Sequence, residues 1–268
     1  MASGSSPAET LPHARAGTRP VLRGTAERRY HLALTSALLA TVAIGFSRSF
    51  FLRPWFAEWA AVHSPPEGFF YGIHGLSFAL WYVLLVAQPA LVAARRLDWH
   101  RRLGWIGAGL GVAMVTLGTL GGLIAANRPG GFIDVPAPPL VFLVVPISDM
   151  VLFAGFAAAG IALRRRPQVH KRLMLLASIG MVEAAFARWP FDGMNEPLAG
   201  LPLAARELCT LVFLVPMVLW DVVSRGRVQG ATVIGGIVLL LVLGLRFPLA
   251  GTEAWQAFAR FAVGLMGS

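Results

Sequence analysis

Long apolar runs alternate with short polar connections along most of the chain. The runs cover residues 31–51, 69–94, 104–126, 139–163, 173–187, 201–223 and 231–247. Most reach or approach the roughly 20 residues a helix needs to cross a bilayer. The pattern predicts an all-α polytopic membrane protein with about seven transmembrane helices. The fifth run is the shortest and carries Glu183, so six spans is the alternative. Three units follow. Residues 1–26 are polar, basic and bear Gly, Ser and Pro. They lack an apolar stretch before a small-residue cleavage site, so they read as a disordered cytoplasmic tail rather than a signal peptide. Residues 27–250 form the bundle, with a functional core over 69–190. Residues 251–268 carry Trp255, Phe258, Phe261 and Leu265 at helical spacing and predict an amphipathic interfacial helix.

The connections differ in charge. Arg23, Arg28 and Arg29 precede the first run. Arg95, Arg96, Arg101 and Arg102 separate the second from the third, and Arg164, Arg165, Arg166, Lys171 and Arg172 separate the fourth from the fifth. Arg225 and Arg227 separate the sixth from the seventh. The remaining connections, 52–68, 127–138 and 189–200, are richer in Pro, Gly, Asp and Glu. Loops rich in Lys and Arg stay in the cytoplasm, which puts the N-terminus inside and the C-terminus outside a bacterial cytoplasmic (inner) membrane.

Composition agrees. Hydrophobic residues make up 56% of the 268, charged residues only 13%, and the mean hydropathy is +0.67. The net charge of +10 comes from 23 Lys and Arg against 13 Asp and Glu. Because those cations cluster at the ends of apolar runs, topology accounts for them and nucleic acid does not. The single Cys209 rules out an internal disulfide and any multi-Cys zinc or iron–sulfur centre. Within the third run, Gly104, Gly111 and Gly118 lie seven apart on one face, which predicts close helix packing and a central position. Pro146 and Pro216 predict kinks in the fourth and sixth runs.

Two segments nearly repeat. One reads Arg95-Arg96-Leu97-Asp98-Trp99-His100-Arg101-Arg102-Leu103, the other Arg165-Arg166-Pro167-Gln168-Val169-His170-Lys171-Arg172-Leu173. Each puts a histidine where a helix enters the membrane, and His31 opens the first run in the same way. Two imidazoles from different helices at one depth is the arrangement a b-type haem takes. The leading ligand pair is His100 and His170, with His31 as substitute. The tail's His13 and the outer loop's His63 read as solvated. His74, Asp149, Glu183, Arg188, Arg206 and Glu207 fall in one outer layer. Charges in hydrocarbon must be paired or hydrated, so they predict interhelical ion pairs, with Asp149 or Glu183 meeting Arg188 or Arg206. The alternative is a polar cavity open to the outside, one that binds a substrate, relays protons, or holds iron or zinc through His74, Asp149 and Glu183. No HxxH, HxxxH or ExxH spacing accompanies that set.

The sequence His74-Gly75, Gln88, Arg95-Arg96, His100-Arg101 and Gly104, followed by His170-Lys171-Arg172-Leu173-Met174, resembles a bacterial family of multi-pass membrane proteins known as a domain of unknown function. The likeness covers roughly residues 70–190. More loosely, the histidine, downstream glutamine, basic turn, second histidine and glycine are similar to transmembrane ascorbate-dependent b-type cytochromes. That resemblance implies haem ligation by His74 and His100. Those cytochromes use two histidine pairs, whereas here the outer level has only His74, so at most one haem, on the cytoplasmic side, is expected. Three functions are in play. The first is a redox protein exchanging electrons with a quinone or partner complex. The others are a non-redox accessory or transporter-like subunit and a metal-dependent membrane enzyme.

Overall fold

The computed structural model describes residues 20–64, 68–189 and 209–267. Arg206, Glu207, the start of the sixth run and most of the N-terminal tail lie outside them. Helix α1 spans Pro20–Gly45 and so begins ahead of the boundary expected at residue 27. A π turn, Ser47–Phe51, and a 3-10 turn, Arg53–Phe56, lead into α2 (Ala57–His63). Then come α3 (Phe69–Ala93), α4 (Leu97–Asn127), α5 (Pro139–Phe142), α6 (Val144–Ala162), α7 (Pro167–Ile179) and α8 (Glu183–Phe186). A 3-10 turn, Cys209–Phe213, precedes α9 (Leu214–Arg225), α10 (Gly230–Ala250) and α11 (Glu253–Gly264). The described residues contain no strand.

Four helical segments are long and apolar enough to cross a membrane: Phe69–Ala93, Leu97–Asn127, Pro139–Ala162 and Gly230–Ala250. The other three expected spans fall short for local reasons. The 26 residues of α1 include Glu27, Arg28 and Arg29. At 13 residues, α7 is about 20 Å long, less than a hydrocarbon core of about 30 Å. Only 12 residues of α9 are helical in the described part. Pro146 acts as expected. It has no N–H for the carbonyl of Phe142, and the α5–α6 boundary falls there. Pro216 sits in the first turn of α9, behind a 3-10 turn rather than an α-helix.

The bundle is built on two antiparallel hairpins, α3–α4 and α6–α7, joined through α4 and α6. α1 packs on α3, and α10 covers α6 and α7. Leu38, Met114, Phe153, Leu176 and Leu239 are fully buried among them. The most buried of the four long segments is Pro139–Ala162, and α4 packs closely on one face because its glycines let both neighbours approach. A Cβ at Gly107 would come within 2.7 Å of the Leu84 side chain on α3, and one at Gly122 within 2.9 Å of Pro146 on α6. On the outer faces, Ile234, Leu240, Leu241 and Leu245 of α10 are exposed, as suits a hydrocarbon solvent.

Inside the bundle, Arg246 of α10 donates to Asp149 of α6 at 2.9 Å, with the arginine side chain 1% exposed. This is not the pairing the sequence pattern predicted. Arg188 instead donates to the carbonyl of Ala184 and lies over the Phe46 ring. The C-terminal helix also turns one residue the other way. Trp255 faces inward and donates to the carbonyl of Leu140 at 2.8 Å, while Phe258, Phe261 and Leu265 point outward.

Removing one partner of a buried pair strands the other charge. Arg246→Met is therefore expected to cost about 3–5 kcal/mol in detergent unfolding. Asp149→Leu combined with Arg246→Met should restore most of that loss. A double variant as unstable as the sum of the single ones would refute the pairing.

Candidate functional site

The two hairpins turn alike. Arg96, before α4, has φ −93° and ψ 60°, and Arg166, before α7, has φ −108° and ψ 83°. The N–H of His100 donates to the carbonyl of Arg96 at 3.1 Å, and that of His170 to the carbonyl of Arg166 at 3.0 Å. Each histidine is thus the fourth residue of its helix, on the first turn. Because α4 and α7 both pack against α6, the two first turns converge. The imidazole centroids lie 6.3 Å apart with planes at 90°.

Each ring has its own support. His170 Nδ1 lies 2.8 Å from the carbonyl oxygen of Gly160, which can only accept. Nδ1 therefore carries the proton, and Nε2 keeps its lone pair. His100 is held by Gln88 of α3. In the amide orientation that satisfies its neighbours, the Gln88 nitrogen donates to the His100 carbonyl at 3.2 Å and faces His100 Nδ1, while its oxygen accepts from the N–H of Gly104 at 3.2 Å. That orientation leaves the proton of His100 on Nε2. The opposite amide orientation sets its oxygen against the His100 carbonyl and its nitrogen against the Gly104 N–H, so it forfeits both of those hydrogen bonds. Around the pair, Arg95, Arg96, Arg101, Arg102, Arg164, Arg165 and Arg166 are exposed. Gly104, one turn beyond His100, has open space beside it, with nothing within 4 Å of a Cβ built there.

The other predicted site residues lie elsewhere. His31 lines a different cleft, with Tyr30, Arg172, Trp220 and Asp221. His74 puts Nδ1 3.2 Å from the carbonyl of Leu117 and stacks on Phe78. Asp149 is engaged by Arg246, and Glu183 opens α8. Among the described residues no three His, Cys, Asp or Glu side chains are grouped as metal ligands.

Two networks went unnoticed in the sequence. Arg172 of α7 makes a two-point ion pair with Asp221 of α9, one contact being Nε to Oδ2 at 3.3 Å. Asp221 Oδ2 also accepts from Thr232 Oγ1 at 2.6 Å and from the Gln229 N–H at 3.1 Å. Near it, Glu27 of α1 pairs with Lys171 and with Arg225, the latter at 3.1 Å. The signal for Asp221 was available: an acid inside an apolar run, as for Asp149. The arginine clusters hid Arg172 by offering topology as a sufficient reason for it.

The chain matches no protein-family model, no curated protein and no solved structure.

Burial alone would raise the Glu27 carboxyl, but the donors on Lys171 and Arg225 outweigh it and hold the group below the usual carboxylate range. A depressed carboxylate contributes stability above its unfolded pKa and loses it as pH falls through the folded value. Glu27→Gln is therefore expected to lower the thermal midpoint at neutral pH. It should also shrink the acid-side loss of stability below about pH 4. An acid limb identical to that of the wild type would show that the α1 pairing contributes nothing.

Proposed function

We propose that this protein is a multi-pass membrane redox protein that holds one b-type haem between His100 and His170 and exchanges electrons with a quinone or a partner complex. The observation that carries the reading is the meeting of the two repeated histidines. Two imidazoles bound on opposite sides of one metal ion, each nitrogen about 2 Å from it, have centroids roughly 6 Å apart. The 6.3 Å separation fits that span, and the perpendicular planes are compatible with it.

The donor set suits the group. His170 offers Nε2 with its Nδ1–H fixed by a backbone carbonyl, the outer-shell contact that orients a metal-binding imidazole. His100 offers Nε2 when its proton moves to Nδ1, a change that costs the Gln88 amide its contacts with the His100 carbonyl and the Gly104 N–H. The exposed arginines supply cations for the haem carboxylates. When bound, haem supplies a one-electron carrier at the arginine-rich end of the bundle. The chain's own part is to fix both rings, tune their basicity through Gly160 and Gln88, and neutralise the carboxylates. His31, the substitute ligand expected from the sequence, lines a different cleft and stands outside the pair. In this reading the arginine-rich turns and the N-terminus lie on the cytoplasmic side of a bacterial inner membrane.

In haem-replete membranes, the reduced-minus-oxidised spectrum of purified protein is expected to show a b-type signal. His100→Ala and His170→Ala should each abolish it, and His74→Ala should leave it intact. Gln88→Leu should keep the haem but shift its midpoint potential, because the His100 ring loses its polar partner. No Soret band in the wild-type protein would sink the proposal.

A further inference from the structure

α4 buries one side and leaves the other bare. Gly107, Gly111, Met114 and Gly118 are buried against its neighbours, whereas Arg101, Arg102, Trp105, Gly109 and Val112 are exposed. At about 100° per residue, the second group forms one stripe on the opposite side of the helix, with the two arginines flanking its head. Apolar residues continue it, and Trp105 and Val112 are each 69% exposed. From Arg102 to Val112 the stripe runs about 15 Å, half the hydrocarbon thickness of a bilayer and the reach of one acyl chain.

Charge is the first sign of an occupant. Arg95, Arg96, Arg101 and Arg102 crowd the start of α4, with one acid, Asp98, among them. Asp98 reaches Arg101 at 3.9 Å, and both side chains are exposed, so the pair neutralises little. The Arg102 guanidinium lies over the Trp99 ring, 5.6 Å from its centroid, which holds the cation in place without cancelling its charge. Shape is the second sign. A Cβ at Gly107 or Gly122 would strike a neighbouring side chain, so packing accounts for those glycines. A Cβ at Gly109 would meet nothing within 4 Å. No neighbouring helix requires this glycine, although glycine is a poor helix former. Its missing side chain leaves a notch between Trp105, one turn before it, and Val112, one turn after.

The occupant needs an anion for the two guanidinium groups and a flexible apolar chain for the stripe. A soluble anion leaves the stripe unused, and a zwitterionic lipid brings a cation of its own to the arginines. We propose that Arg101, Arg102, Trp105 and the Gly109 notch form a site for one acidic phospholipid. Its phosphate sits between the guanidinium groups, and one acyl chain lies along Trp105, Gly109 and Val112. The stripe is on the side of α4 turned away from the His100–His170 pair, so the site does not depend on the haem reading.

The test is native mass spectrometry of the full-length protein in mild detergent, titrated with phosphatidylglycerol or with phosphatidylcholine. One phosphatidylglycerol per chain is expected to bind in preference to phosphatidylcholine. Arg101→Gln and Arg102→Gln should each weaken it about fivefold, the worth of one cation beside an anionic headgroup. Gly109→Leu should weaken it too, by filling the notch with the charge unchanged. Arg165→Gln, which removes a cation from the other basic turn, should leave it intact. All four altered positions are exposed, so thermal midpoints close to that of the wild type are expected. Equal retention of the two lipids overturns the proposal, as does binding indifferent to Arg101→Gln and Arg102→Gln. Equal weakening by Arg165→Gln also overturns it, because the attraction then belongs to the whole basic face. Full competition by glycerol phosphate does the same, because the apolar stripe then takes no part.

Discussion

The close approach of α4 to its two neighbours is the contact on which the other arrangements rest. A helix whose buried face is largely glycine can be met at short range by a leucine of α3 on one side and a proline of α6 on the other. In hydrocarbon the hydrophobic effect does not drive helices together, and van der Waals contact at such small-residue faces takes over that task. Because α4 touches both hairpins, it sets their relative height, and with it the level at which the two first turns meet. A side chain at Gly122 would meet the stiff ring of Pro146 and force the two hairpins apart there, whereas one at Gly107 meets the flexible end of Leu84 within the first hairpin.

The bundle also has to settle charges away from water. Among the described residues it does so with two fully buried interhelical pairs at different places, Asp149 with Arg246 and Arg172 with Asp221. The second is densely satisfied, since Asp221 takes a hydroxyl and a backbone N–H besides its guanidinium partner. The first turn of α7 concentrates this work. Three consecutive residues, His170, Lys171 and Arg172, stand about 100° apart around the helix. They reach Gly160, Glu27 and Asp221 in turn. One turn therefore ties α6, α1 and α9 together, which explains why a segment too short to cross a bilayer sits so deeply in the fold.

Much of this was legible in the residues. The apolar runs gave the helices, the glycines gave the close packing of α4, though α5–α6 rather than α4 is the most buried segment, and Pro146 gave the break between α5 and α6. The duplicated basic turns pointed to His100 and His170 without any knowledge of their distance. What the sequence withheld was pairing across helices. Asp149 reads as needing a cation, but which of the available arginines supplies it depends on how α10 is rotated against α6. Arg246 was passed over because it ends a run of leucines and valines. The role of Gln88 was half visible. Its place on the face of His74 was readable, whereas its contact with the ring of His100 requires the hairpin to be closed.

The likeness of the two hairpin turns carries one more implication. A site made of one ring from each repeat is what two copies of a single hairpin would create across a twofold axis. Two separate copies would have to find each other, and occupancy would follow their concentration. Joined in one chain, the encounter becomes intramolecular at a fixed and high effective concentration. The halves are then free to differ: His74 lies on the second turn of α3, whereas the matching position in the second hairpin is Val144, the first residue of α6. Symmetry survives only in the turns that the paired rings need.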